Sequence, residues 1–122
     1  MSVKPIFFAL DGKHLDNFSR ELEILKGNIY GVKVGLEMFT SEGPSSVEKL
    51  KKDGWNVFLD LKLHDIPNTV QAATISAGDI GADYLTIHIA SGKEALLAAK
   101  ESKSENLKLL GVSTALTSKA YS

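Results

Sequence analysis

The chain has 122 residues, of which 43% are hydrophobic and 7% aromatic, and this is the size and apolar content of one small globular domain. Its 14 basic and 15 acidic residues give a net charge of −1, which argues against nucleic acid or an anionic membrane as a partner. The absence of cysteine excludes disulfides and thiolate chemistry, and no apolar run reaches the ~18 residues of a membrane span, so a cytoplasmic protein is expected.

Short apolar runs rich in β-branched residues alternate with amphipathic segments, a pattern typical of βαβ units around a parallel sheet. The strand ends recur at intervals of 24 to 27 residues, which gives one βα unit per interval. In chain order, the predicted elements are a strand from Pro5 to Leu10, a helix from Leu15 to Lys26, a strand from Tyr30 to Gly35, a helix opened by Gly43-Pro44, a strand from Asn56 to Leu61, a helix from Pro67 to about Gly78, a strand from Tyr84 to Ile89, a helix after the capping-box pattern Ser91-Gly92-Lys93-Glu94, and a strand from Leu107 to Thr114.

The alternation of side chains distinguishes a closed barrel from an open sheet. One parity of the strands is apolar: Ile6, Phe8, Leu10, Val32, Val34, Val57, Leu59, Leu61, Leu85, Ile87 and Ile89. The other parity carries polar side chains late in each strand: Asp11, Lys33, Asp60, Lys62, Thr86 and His88. A barrel places polar groups at the carboxyl ends of its strands, whereas an open sheet covered on both faces is apolar at both parities. We therefore predict an α/β fold of the (β/α) TIM-barrel type. Only the first four to five βα units are present, so residues 1–122 are expected to form a single half-barrel domain.

The segment from residue 58 to residue 70 is the most informative in the sequence. Asp60 and Lys62 are two residues apart on a predicted strand, so their side chains should point the same way. Close to Asp11 and Lys33, such carboxylates and ammonium groups would favour one another's charged forms, and an ammonium kept charged can donate a proton. A salt bridge that merely closes the barrel end is the alternative interpretation of an Asp-x-Lys pair.

The motif Asp60-x-Lys62-x-x-Asp65, followed by Ile66-Pro67-Asn68-Thr69, resembles the orotidine 5′-monophosphate decarboxylase family. The shorter Asp-x-Lys-x-x-Asp element is shared with related sugar-phosphate decarboxylases, so it is only moderately specific alone. Further segments fit the family in order: Ala9-Leu10-Asp11, Val32-Lys33-Val34-Gly35, Leu85-Thr86-Ile87-His88 and Leu116-Thr117-Ser118. The resemblance spans nearly the whole chain, which reads as the N-terminal half of such an enzyme.

The resemblance implies a lyase of pyrimidine biosynthesis that converts orotidine 5′-monophosphate to uridine 5′-monophosphate and carbon dioxide, without a metal or organic cofactor. It implies that Lys62 donates the proton to C6 and that Asp60 lies against the departing carboxylate. Lys33 would belong to the same charged network, and Asp11 would contact the ribose.

The resemblance also implies a homodimer whose active sites are shared between subunits. Asp65, Ile66 and Thr69 would then be supplied to the neighbouring subunit's site. Ser118 matches a residue that contacts the pyrimidine. His88 could line the same pocket, although a hydrogen-bonded structural histidine fits its position equally well.

Two alternatives to the decarboxylase remain open. One is a related sugar-phosphate decarboxylase or epimerase that uses a metal, and the other is a non-catalytic half-barrel that acts in dimerisation or ligand binding. The family draws its main phosphate-binding residues from the second half of the barrel, so turnover by this chain alone is expected to suffer. An isolated monomer is expected to be unstable, and a complementary C-terminal half-barrel is a further candidate partner.

Overall fold

The computed structural model describes residues 3–113, which form one parallel sheet in the strand order β1-β2-β3-β4-β5. The strands are β1 (Lys4–Ala9), β2 (Ile29–Gly35), β3 (Asn56–Leu63), β4 (Tyr84–His88) and β5 (Lys108–Val112). The helices are α1 (Ser19–Leu25), α2 (Leu36–Glu42), α3 (Pro44–Lys52), α4 (Pro67–Asp79) and α5 (Lys93–Ser102). This alternation in sequential strand order is that of a partial TIM barrel, as predicted.

Three details of the helices differ from the prediction. A 3₁₀ turn (Leu15–Phe18) precedes α1, so the first predicted helix is divided in two. The short helix α2 was not predicted; it follows β2 without an intervening loop and buries a single side chain, Met38. The capping box is wrong, because Gly92 occupies the N-cap of α5 and the Ser91 hydroxyl donates to the carbonyl of Leu63 at 3.3 Å.

The main core lies between the strands and the helices. Most of the apolar parity of β2, β3 and β4 is buried there and packs with residues from α2 and α3, as the alternation predicts: Val32, Val34, Val57, Leu59 and Leu85 are fully buried, and Leu61 is partly buried. Two residues assigned to this parity are exposed instead. Ile6 lies near the start of the edge strand β1, and Ile89 falls in a 3₁₀ turn after β4, where the strand alternation no longer applies.

The opposite face of the sheet changes character along the strands. Toward their amino ends, Phe7 packs edge-to-face against Tyr30, Phe58 and Tyr84, with ring centroids 5.3 to 5.6 Å apart. Toward their carboxyl ends, the same face carries charged and hydroxyl side chains. The sheet therefore brings the polar residues of neighbouring strands together at one edge. None of the helices in residues 3–113 is long and apolar enough to cross a membrane.

Candidate active site

The site is built around an irregularity in β3. Leu59 pairs with Leu85 and Leu63 pairs with Ile87, so three residues of β3 face a single residue of β4, Thr86. Lys62 has φ = 49°, in the left-handed region that residues other than glycine rarely adopt. Bulges of this kind redirect side chains and are frequent next to active sites.

Asp60 is the centre of the polar cluster. Its Oδ2 accepts a hydrogen bond from Lys62 Nζ at 2.8 Å and a longer one from Lys33 Nζ at 3.4 Å. Its Oδ1 accepts the hydroxyl of Thr86 at 2.7 Å. One buried carboxylate therefore holds two ammonium groups and a hydroxyl, and both of its oxygens are used.

The electrostatics favour an ionised Asp60. Burial alone would raise the pKa of this carboxyl group. The hydrogen bonds from Lys62 and Thr86, with the positive charges of Lys62 and Lys33, outweigh that effect and hold the pKa of Asp60 below its usual value. The cluster therefore presents a buried anion that two cations keep charged.

Lys33 extends the network to the first strand. Its ammonium lies between Asp60 and Asp11, with a distance of 3.9 Å to Asp11 Oδ1. The structure thus brings together four of the predicted site residues in an alternating series of acids and ammonium groups. The Asp11 side chain is 75% exposed, so its charge faces solvent, whereas that of Asp60 is shielded.

These groups line an open cleft of about 400 Å³ at the carboxyl ends of the strands. Residues at the end of β2 and the start of α2 also line it, and His88 lines it from the end of β4. His88 packs against His64 with ring centroids 5.2 Å apart, and its Nδ1 is buried without a hydrogen-bond partner among the described residues. The cleft contains positive and negative groups side by side, a suitable environment for a ligand that carries negative charge and hydroxyl groups.

Three other predicted site residues lie outside the cleft. Asp65 and Ile66 are exposed just before α4, and Thr69 is exposed in its first turn. The Asp65 carboxylate accepts the backbone N–H of Ile66 at 2.7 Å. Within residues 3–113, Asp65 forms no ion pair with a lysine of the cluster. Ser118 lies outside the described residues.

Thr86 is a member of the cluster that the sequence analysis places on the polar parity but to which it assigns no role. It is 4% exposed and contacts both Asp60 and the backbone of Lys62. The available signal was its position on the polar parity of its strand, two residues before His88. A threonine in a strand is so often a packing residue that this signal alone was not specific.

Comparison with known proteins agrees with the fold and with the motifs. A family model described as "Orotidine 5'-phosphate decarboxylase / HUMPS family" matches residues 4–121. The curated orotidine 5'-phosphate decarboxylase of Listeria monocytogenes is 47% identical over 98 residues, which are 80% of this chain and 42% of the relative. That of Halalkalibacterium halodurans is 44% identical over 99 residues, which are 81% of this chain and 42% of the relative.

Solved structures give the same result. The orotidine 5'-phosphate decarboxylase of Lactobacillus acidophilus superposes with a TM-score of 0.81 at 34% identity, covering 94% of this chain and 55% of the other. That of Pyrococcus horikoshii superposes with a TM-score of 0.74 at 28% identity, covering 84% of this chain and 49% of the other. This chain spans less than half the length of the curated relatives above.

Five parallel strands that alternate with helices, with a charged cluster at the carboxyl ends of the strands, define the class, a partial TIM-barrel fold of the kind that carries enzyme active sites. The matched sequence then identifies the member of this class. The chain belongs to the orotidine 5'-phosphate decarboxylase / HUMPS family.

Proposed function

We propose that this chain carries the catalytic half of an orotidine 5′-monophosphate decarboxylase, which converts orotidine 5′-monophosphate to uridine 5′-monophosphate and carbon dioxide in pyrimidine synthesis. The observation that carries the proposal is the 2.8 Å contact between Lys62 Nζ and Asp60 Oδ2 at the mouth of the cleft. It joins the ammonium that the reaction needs to a carboxylate that keeps it in place. Residues 1–122 would act as one domain, and a cytoplasmic location remains a prediction.

In the proposed reaction, the bond between C6 and the substrate carboxylate breaks and its electron pair stays on C6. Carbon dioxide leaves, and Lys62 Nζ transfers a proton to C6. Before this proton transfer, loss of carbon dioxide leaves a carbanion at C6 whose electron pair lies in the ring plane without a conventional electron sink, so a fixed positive charge nearby is the minimum requirement. The Lys62 side chain is 50% exposed, and it can therefore face the cleft while Asp60 holds its position.

Asp60 is proposed to lie against the departing carboxylate. The neighbouring cations and the Thr86 hydroxyl favour its ionised form, so the substrate carboxylate would meet a second negative charge in a shielded position. Loss of carbon dioxide would remove this repulsion. Lys33 would balance the charge of the cluster, and Asp11, at the exposed end of the network, would contact the ribose hydroxyls.

The proposed assembly is a homodimer in which Asp65, Ile66 and Thr69 reach the neighbouring subunit's site. Their exposure supports this arrangement, since all three are available to a second subunit. Ser118 is proposed to contact the pyrimidine. The residues that bind the phosphate are expected from the second half of the barrel, so a complementary C-terminal half-barrel is a candidate partner.

The test is the loss of orotidine 5′-monophosphate absorbance with the purified chain, alone and mixed with a separately expressed C-terminal half-barrel. Turnover by the chain alone would mean that self-association completes the site. Turnover only in the mixture would identify a fragment that carries the catalytic groups. In both cases Lys62→Ala should lower turnover by about 10²–10⁴-fold, the range for loss of a general acid.

The matched control is Lys49→Ala, which removes an exposed lysine from α3. It should leave turnover unchanged. Nucleotide binding by calorimetry without turnover in either preparation would favour a non-catalytic module and overturn the proposal. Magnesium-dependent activity on a ketose phosphate would favour the related sugar-phosphate enzymes instead.

A further inference from the structure

Thr86 occupies a singular position in the sheet. It is the only residue of β4 between Leu85 and Ile87, and across from it three residues of β3 fit into the space of one. The regular ladder of backbone hydrogen bonds is interrupted at this point. The backbone N–H of Lys62 donates instead to the Thr86 hydroxyl, at 2.9 Å.

The direction of the hydrogen bonds at this hydroxyl is fixed by chemistry. A backbone N–H can only donate, so the Thr86 oxygen accepts from Lys62. Its single proton is then directed to Asp60 Oδ1 at 2.7 Å, which suits an unprotonated carboxylate. The hydroxyl is buried, so water has little access to replace either bond.

These contacts close a ring. Lys62 reaches one oxygen of Asp60 directly through its ammonium, and it reaches the other oxygen through its backbone N–H and the Thr86 hydroxyl. The backbone and the side chain of Lys62 are therefore both connected to the Asp60 carboxylate. Such a ring holds a backbone conformation that lysine does not favour by itself, φ = 49°.

We propose that Thr86 is a positioning residue, whose hydroxyl ties the bulged backbone of Lys62 to Asp60 and thereby fixes where the Lys62 ammonium lies in the cleft. The effect of Thr86 on turnover rests on the proposed decarboxylase function. The effect of Thr86 on the geometry of Asp60 and Lys62 does not, so the two effects can be tested separately.

The test compares Thr86→Val, which removes the hydroxyl at nearly constant volume, with Thr86→Ser, which keeps it. The matched control is Thr74→Val, because Thr74 is also fully buried but its hydroxyl donates to the Val70 carbonyl within α4. Carbon-13 NMR should show a higher pKa for Asp60 in Thr86→Val, and the wild-type value in Thr86→Ser and Thr74→Val. Exchange of the Lys62 amide should become about tenfold faster or more in Thr86→Val alone, as expected for one lost hydrogen bond.

The unmutated chain provides a measurement that does not depend on the folding of a variant. The amide signal of Lys62 should shift with the titration of Asp60, because the Thr86 hydroxyl connects the two groups. In the preparation that turns over, Thr86→Val should lower kcat by about tenfold or more with little change in KM, and Thr86→Ser should restore it.

An unchanged pKa of Asp60 and an unchanged exchange rate of the Lys62 amide in Thr86→Val would overturn the proposal. So would a Lys62 amide signal that does not shift as Asp60 titrates in the wild type. Altered geometry in a chain that never turns over, even with a C-terminal half-barrel, would instead retain the positioning role and remove the proposed function.

Discussion

Lys62 Nζ lies 2.8 Å from Asp60 Oδ2, although the backbone at Lys62 has left the strand conformation that would explain this contact. In a regular strand, residues two apart share a face by simple alternation. Here the bulge in β3 and the left-handed φ of Lys62 interrupt that alternation. Hydrogen bonds that link Lys62, Thr86 and Asp60 stabilise the bulged conformation. The ammonium is therefore placed by a local network rather than by the strand alone.

The first prediction concerns the pH dependence of stability. Burial raises the pKa of Asp60, but the hydrogen bonds from Lys62 and Thr86 and the charges of Lys62 and Lys33 lower it by more. The pKa of Asp60 in the folded state therefore lies below its value in the unfolded chain. Such a carboxylate stabilises the fold above the unfolded pKa, ~3.9 for aspartate, and the contribution is lost as the pH falls through the folded value. The difference in unfolding free energy between wild type and Asp60→Asn should therefore shrink as the pH falls from about 6 toward 3.

Urea unfolding at a series of pH values measures this difference. Asp79→Asn is the control, because Asp79 is an exposed carboxylate at the end of α4, and its substitution should alter the pH profile much less. A free-energy difference between wild type and Asp60→Asn that stays constant across this range would contradict the prediction.

The second prediction separates stability from function at Asp11. Its side chain is 75% exposed, and its contact with Lys33 Nζ is long, at 3.9 Å. Exposed ion pairs contribute about 0–1 kcal/mol, so Asp11→Asn should leave the melting temperature nearly unchanged. If Asp11 contacts the ribose as proposed, the same variant should raise KM for orotidine 5′-monophosphate in the preparation that turns over. A large loss of stability with unchanged kinetics would show that Asp11 is structural.

The third prediction concerns the close approach of β2 and β3. A Cβ atom added at Gly31 would lie 2.3 Å from the backbone carbonyl oxygen of Asn56, a distance that only a shift of the strands can relieve. Gly31→Ala should therefore destabilise the fold by about 1–3 kcal/mol, the usual range for overpacking a core position. Gly35→Ala is the matched control in the same strand, because nothing lies within 4 Å of its added Cβ. Equal unfolding free energies for the two variants would be inconsistent with this explanation.

Features that depend on residues close in sequence were mostly predicted, and features that depend on contacts between distant residues were mostly not. The predicted ends of the five strands lie within two residues of the observed ends, because hydrophobic alternation is a local property. Helix α2 was missed because it has only seven residues and buries only Met38, which is too little periodicity to detect. The predicted capping box at Ser91 does not form, because the Ser91 hydroxyl donates instead to the carbonyl of Leu63 in β3.

The candidate site shows the same division between local and long-range information. Asp11, Lys33, Asp60 and Lys62 were predicted to converge because parallel strands end at one edge, and the structure brings them together. The bulge at Lys62 was not predictable, since it depends on how β3 pairs with β4. The role of Thr86 in the network follows from that pairing and became visible only with it.

The fourth prediction concerns the proposed dimer. Ile66 is 64% exposed just before α4, and an apolar side chain with this exposure is available to a second subunit. Placing a charge there would require its desolvation at the subunit interface, so Ile66→Glu should shift the chain from dimer toward monomer. Sedimentation velocity across a concentration series measures the shift, and Thr69→Asp should weaken association in the same direction.

Leu97→Glu is the control for this experiment, because Leu97 is 42% exposed on a different helix, α5. If residues 65–69 form the interface, this control should associate as the wild type does, with or without a C-terminal half-barrel present. Equal dissociation of Ile66→Glu and Leu97→Glu would point to general loss of fold, and a wild-type chain that stays monomeric at high concentration in both preparations would contradict the shared site. The proposed dimer would matter to the chemistry, because Asp65 forms no ion pair with the cluster within residues 3–113 and would reach a site only across the interface.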